Sequence, residues 1–367
     1  MLKFIHCNEG LRLFRRALHV RNYGIRRYHG NAEQICEQIV KGCWNGTFFQ
    51  ASTGHFNQFW TRDFGWCTES LLKLGNKEKV TKTLGYALHT FQKYRKITTT
   101  ISPKGVPFDF PAYAVDSVPF IIHSLYLANA ESLIGRYKEF LNKEIHRFYW
   151  LVINEKTGLV KNEHFSSMKD HAIRFSSCYD NSMVAMLNRD LQNLPSLDNP
   201  LIKYNFEQKL IEYFWRHDHF IDDLSGNHVI SGDANIFPFW TEVITSKDML
   251  KKAIRTIQKC ELDKPFPLRY YHSKVIMQKM HPVEIFAKGY ERDTAWMHMG
   301  PLYVKLVQRV NKKLAQMYLA TYTQLIERYK NYLEVFNADG TPFKSIFYQA
   351  DEGMLWAVNY LGLKKDG

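Results

Sequence analysis

The chain has 367 residues and a mass of 43.3 kDa; it is 45% hydrophobic and 15% aromatic, with 25 Phe, 21 Tyr and 8 Trp, which excludes a disordered or low-complexity scaffold. No apolar run approaches the ~20 residues that span a bilayer; residues 121–130 come nearest and carry His123 and Ser124. The formal charge is +13, but residues 1–30 alone hold +6 of it, so the remaining excess is dispersed and no nucleic-acid groove is expected.

In chain order, residues 1–30 form a basic N-terminal segment, with Leu11, Phe14 and Leu18 on one face of a helix. This is the pattern of an organelle-import segment, of an ordinary basic tail or of a mis-called start, without the compact apolar core of a secretory signal. A cytoplasmic protein is the expectation, with organelle import as the alternative. Apolar residues at three- and four-residue spacing predict helices over 32–42, 69–74, 78–94, 115–130, 139–154, 182–191, 205–217, 247–259, 299–310 and 313–332. Strand candidates are short, at 98–101 and 220–222. Long connections fall at 102–111, 158–174, 224–240, 265–291 and 337–349, and loops of such length on a compact core usually carry function.

No Pro-, Gly- or Ser-rich linker divides residues 31–367, which read as one all-α domain. A tetratricopeptide-like solenoid would show a repeat of about 34 residues, and none is found. Ten to twelve helices joined by alternately short and long loops instead suggest helical hairpins closed into a double ring. The nearly all-apolar 115–130 would then be an inner helix covered on both sides.

Six cysteines without metal-ligand spacing fit buried free thiols in a reducing compartment. The pairings His217 with His219 and His164 with His171 lack the spacing of a metal site, and no Gly-rich phosphate loop or nucleophile elbow occurs, so no metal and no cofactor are expected. Oligomeric state leaves no trace in the sequence.

The most informative stretch is Trp60-Thr61-Arg62-Asp63, followed by Trp66. A carboxylate and a guanidinium between two indoles can bind vicinal hydroxyls while the rings cover a sugar's C–H face. A local ion pair at a helix start is the competing reading. Glu291, Asp293 and Trp296 repeat the theme of charges beside an indole, and Trp240 suits core packing or a pocket wall. Asp180 precedes Asn181 and Ser182 at a helix start, where it could simply cap the helix. Glu334 follows the long helix 313–332, and Glu352 is a second late carboxylate.

Trp60-Thr61-Arg62-Asp63 resembles the substrate-holding motif of glucoamylases and related six-hairpin glycosidases. Three further stretches resemble that superfamily in the right order: Asp116-Ser117-Val118-Pro119, Tyr179-Asp180-Asn181-Ser182, and Tyr332-Leu333-Glu334 with the later Met354-Leu355-Trp356-Ala357. The likeness to trehalases, glycogen-debranching glucosidases and neutral invertases runs over about residues 42–361. It implies an (α/α)6 barrel with its site on long loops at one end, and hydrolysis of an α-glucoside, exo-acting and with inversion. Such chemistry needs a carboxylic acid and a carboxylate about 6.5–9.5 Å apart across one sugar ring. The resemblance assigns the acid to Asp180 and the base to Glu334, with Glu352 in reserve. Trp60, Arg62, Asp63, Trp66, Asp116, Glu291, Asp293 and Trp296 would hold the carbohydrate, although Ala295 stands where the family usually has Gly. A sugar phosphorylase or epimerase on the same barrel, or a non-catalytic carbohydrate-binding or interaction scaffold, are the alternatives.

Overall fold

The computed structural model describes residues 4–226, 229–272 and 279–366. A first helix, α1 (Phe4–Tyr23), precedes α2 (Ala32–Cys43), α3 (Thr61–Lys73), α4 (Lys77–Tyr94), α5 (Ser117–Leu127) and α6 (Glu131–Val152). There follow α7 (Cys178–Gln192), α8 (Phe206–Phe214), the single turn α9 (Phe237–Trp240) and α10 (Lys247–Lys259). The chain ends with α11 (Met299–Gln308), α12 (Lys312–Tyr329) and α13 (Ala357–Asp366).

Odd-numbered helices from α3 onward pack in sequence, α3 on α5, α5 on α7, α7 on α9, α9 on α11 and α11 on α13, and α13 returns to α3. Even-numbered helices lie outside them, with α2 closing against α12 and α13. This is an (α/α)6 barrel. Residue chemistry separates the two rings. Inner α5 is buried from Ser117 to Leu125 and α7 at nearly every position, whereas outer α10 buries only the stripe Leu250, Ala253, Ile254, Thr256 and Ile257, the pattern of a helix with one wet face.

Alternation of outer and inner helices fixes where the long loops must go. Connections from an inner to the next outer helix are short at 74–76, 128–130 and 309–311. Connections from an outer to the next inner helix, at 44–60, 95–116, 153–177, 215–236, 260–298 and 330–356, are all long. The latter share one end of the barrel, at the N-termini of the inner helices, where the partial positive charge of each helix favours carboxylates. Two-residue strand pairs stitch these loops together: Trp60 opposite Thr100, and Trp296 opposite Val335.

Several boundaries differ from the sequence reading. Helix α3 starts at Thr61, so Arg62 and Asp63 lie in its first turn rather than in a loop before it. Helix α9 sits inside the 224–240 connection, where its four residues are too few to show a period. Helix α1 forms, but Leu11 and Leu18 are exposed, and Ala17 and Val20 face the barrel instead. Its arginines set that orientation: Arg16 pairs with Glu352, Arg12 donates to the His55 carbonyl and to Gln58, and Arg21 donates to the Ser345 and Ile346 carbonyls. Among the described residues no helix is long and apolar enough to cross a membrane, and the six cysteines are free.

Gly65 lets α3 pack directly on α5, since a Cβ there would stand 2.2 Å from the Phe120 ring. Gly65→Ala is expected to cost about 1–3 kcal/mol by overpacking. Gly85→Ala on outer α4, where the nearest atom is 3.9 Å away, should gain up to about 1 kcal/mol from reduced backbone entropy. Urea denaturation of the two variants checks the opposite signs.

Candidate active site

At the loop-rich end lies a cavity, open to solvent on one side, lined by Phe56, Trp60, Arg62, Asp63, Trp66, Met168, Asp170, Tyr290, Glu291, Trp296, His298, Glu334, Met354 and Trp356. Seven of the residues singled out in the sequence are therefore gathered here: Trp60, Arg62, Asp63, Trp66, Glu291, Trp296 and Glu334.

Four others lie outside the lining. Asp116, at the start of α5, is fully buried and accepts from Arg62 Nε at 2.5 Å and from Tyr179 Oη at 3.0 Å; it holds the guanidinium rather than facing the cavity. Asp180 lies in the first turn of α7, where its backbone N–H is capped by Ser177 Oγ at 3.0 Å. Burial pushes its carboxyl up to about 6 against the pull of Arg174. Asp293 is partly exposed beside Arg269 at 3.7 Å. Glu352 is enclosed by Arg16, the Arg26 backbone N–H at 2.6 Å and Asn331, so its oxygens serve the junction between α1 and the barrel.

The sequence reading passed over Asp170, Tyr290, His298 and Trp356 as site residues. Asp170 sits in the 153–177 loop and is the carboxylate brought to the cavity from that side; its Oδ1 accepts from Ser166 Oγ at 2.5 Å and lies 3.4 Å from Arg62 Nη2. The length of this loop was the available signal, but nothing local distinguishes Asp170 from the better-patterned Asp180.

Glu334 is supplied by the 330–356 loop, and the 295–296/335–336 strand pair fixes its backbone through Met297 N–H to Glu334 O at 3.1 Å. Tyr290 donates to Oε1, while Oε2 accepts from Tyr348 Oη at 2.7 Å and the Asp351 N–H at 2.8 Å. Asp351 in turn accepts from the backbone N–H groups of His55 at 2.8 Å and Phe56 at 2.9 Å. Burial, with the nearby Asp351 carboxylate, drives the Glu334 carboxyl up to about 8 against these three donors. Burial likewise raises Asp63 to about 7, opposed by Arg62.

The cavity floor is aromatic. His298 stacks on Trp66 at 4.5 Å between ring centroids and contacts Trp296 and Trp356 at 5.0 Å each. Burial, then the Arg62 charge, lowers its pKa well below the usual imidazole range, so it is neutral at pH 7. The indole N–H groups of Trp60 and Trp66 and Nδ1 of His298 are buried without a protein partner. A ligand rich in hydroxyls would satisfy such groups. Among the described residues no set of side chains could hold a metal ion.

No family model matches the chain, and no curated protein matches it by sequence. Solved structures do match in fold. A glycosidase in complex with glucose aligns with a TM-score of 0.65 at 11% identity, over 100% of this chain and 99% of that one. The GH63 mannosylglycerate hydrolase from Thermus thermophilus aligns at 0.63 and 12% identity, over 92% of this chain and 100% of that one. A rhamnose-bound rhamnosidase from Klebsiella oxytoca aligns at 0.67 and 9% identity; 91% of this chain covers only 63% of that protein. The chain shares the helical-barrel fold of these glycosidases.

The raised carboxyl of Glu334 has a consequence for stability. From 4.5 up to about 8, the folded protein keeps a proton that the unfolded chain gives up, so this contribution is fully present at low pH and is lost as pH rises towards 8. Glu334→Gln removes the titration. Its melting temperature relative to the native chain should therefore rise by a few degrees between pH 5 and pH 8.5, as thermal scans at both values would record.

Proposed function

We propose that the protein is an exo-acting glycoside hydrolase that releases a terminal neutral hexose, an α-glucosyl unit, with inversion. The observation that carries this reading is the presence of Asp170 and Glu334 on the lining of one aromatic-floored cavity that also contains Arg62 and Asp63. The acid role passes from Asp180 to Asp170, because Asp180 has no share in the cavity wall. Asp170 gives its proton to the glycosidic oxygen as the bond from that oxygen to the anomeric carbon breaks. Glu334 takes a proton from a water whose oxygen bonds to the anomeric carbon from the opposite face. The proton gained by Glu334 passes to solvent and Asp170 is reprotonated from solvent, which balances the cycle.

Arg62, fixed by Asp116, and Asp63 suit hydroxyls of the terminal sugar, and Trp60, Trp66 and Trp296 suit its apolar faces. The glucose held by one structural neighbour and the hexoside named for another favour a hexose in this position. Among the described residues the lining has four carboxyl groups, Asp63, Asp170, Glu291 and Glu334, against one guanidinium. That guanidinium is already paired with Asp116, which leaves little cationic charge for a phosphate and disfavours phosphorolysis. Epimerisation would call for an imidazole pair, and His298 is the one histidine of the lining.

Turnover is sought across maltose, isomaltose, trehalose, sucrose and glucosylglycerate. On the best substrate, Glu334→Ala should lower kcat by about a hundredfold or more, with azide restoring product as the inverted glycosyl azide. The ascending limb of kcat/KM should reflect a pKa of about 8 in the free enzyme and vanish in Glu334→Ala. Native rates in both Glu334→Ala and Asp170→Asn would exclude the mechanism.

A further inference from the structure

We infer that Glu291, expected from the sequence to touch sugar, acts instead as the positioning residue of the general acid. The inference rests on the reading of Asp170 as that acid. Both Glu291 oxygens are occupied by three consecutive backbone N–H groups of the acid loop: Oε1 accepts from Asp170 at 2.7 Å, and Oε2 from His171 at 2.7 Å and Ala172 at 3.0 Å. One buried carboxylate thus fixes the peptide planes on which the Asp170 side chain is mounted, with charge-assisted bonds that are the strong members of their class.

The same loop is anchored from its other side by two buried cations. Lys169, immediately before Asp170, places Nζ 2.8 Å from Asp233 Oδ1, 3.2 Å from Asp222 Oδ1 and 2.7 Å from Tyr271 Oη. Arg174 reaches Asp233 Oδ2 at 2.8 Å and Ser167 Oγ at 2.9 Å. Asp233 and Asp222 come from the 215–236 connection, Glu291 from the 260–298 connection. Carboxylates from two other loops therefore hold the acid loop, Asp222 and Asp233 through its cations and Glu291 through its backbone amides, so the segment is fixed on both sides of Asp170. All three donors to Glu291 are backbone amides of the acid loop, whereas two of the three donors to Glu334 are phenol side chains, Tyr290 and Tyr348.

Leaving-group dependence separates this role from general support of the fold. A substrate with a poor alkoxide leaving group needs the acid, whereas a glycosyl fluoride of the same sugar leaves with little protonic help. In the full-length protein, Glu291→Gln is expected to lower kcat on the alkyl glycoside by about a hundredfold, with KM changed less than threefold and the fluoride rate within about threefold of native. Glu291→Asp should lie between. Asp170→Asn should show the same selectivity, and the double variant Asp170→Asn/Glu291→Gln should be little worse than Asp170→Asn alone.

Equal losses on both substrates in Glu291→Gln, while Asp170→Asn stays selective, would overturn the inference alone. Full alkyl-glycoside activity in Asp170→Asn would instead remove the acid assignment beneath it. Hydrogen exchange provides a reading that needs no turnover. The amides of Asp170, His171 and Ala172 should exchange at least tenfold more slowly than those of residues 162–164 in the native chain, and lose that protection in Glu291→Gln. Unprotected amides in the native chain would overturn the proposal.

Discussion

One guanidinium ties the site to the barrel. Arg62 rises from the first turn of α3, is gripped by Asp116 at the start of α5, and extends its other arm to Asp170 on the following long loop. Because Asp116 is fully buried, the pair is a desolvated one, costly to form and costlier to break on one side only. Its geometry fixes the relative position of two inner helices and one carboxylate of the cavity. Tyr179 on α7 completes the clamp through Asp116, so three consecutive inner helices share one polar junction beneath the cavity floor.

Ring closure supplies the rest. Since every outer-to-inner connection emerges at the same end, carboxylates at helix starts and on loops converge where water is partly excluded. Desolvation there raises Asp63, Asp180 and Glu334, each held in check by different partners. Glu334 is embraced by two phenols and an amide, all donors; Glu291 is saturated by three backbone amides. The two carboxylates differ in what holds them, two phenol side chains and one amide for Glu334 against three amides of a single loop for Glu291.

Helix-forming patterns were legible because they are local. The period of α10 and α12, the apolar sheath of α5 and the motif from Trp60 to Asp63 can be read without tertiary knowledge, and Glu334 and Trp296 line the cavity as their context suggested. Asp170 was not legible in this way. Its neighbours Lys169 and His171 carry no helical phase, and its place in the cavity depends on Glu291, 121 residues later. Asp180 looked the better candidate because it starts a helix, yet that same local signal describes a buried capped turn. The inward face of α1 was likewise set by Arg12 and Arg16 meeting partners on distant loops, which apolar spacing alone does not encode.

Glu334 and Asp170 can act as a pair only if they attack and assist from opposite faces of one sugar ring. Stereochemistry of the first-formed product tests this most directly. An α-glucoside is turned over and followed by proton NMR at intervals shorter than mutarotation. Initial release of the β-anomer, with the α-anomer appearing only later by mutarotation, is the expected result. Initial release of the α-anomer would mean retention, and would contradict a water-activating role for Glu334.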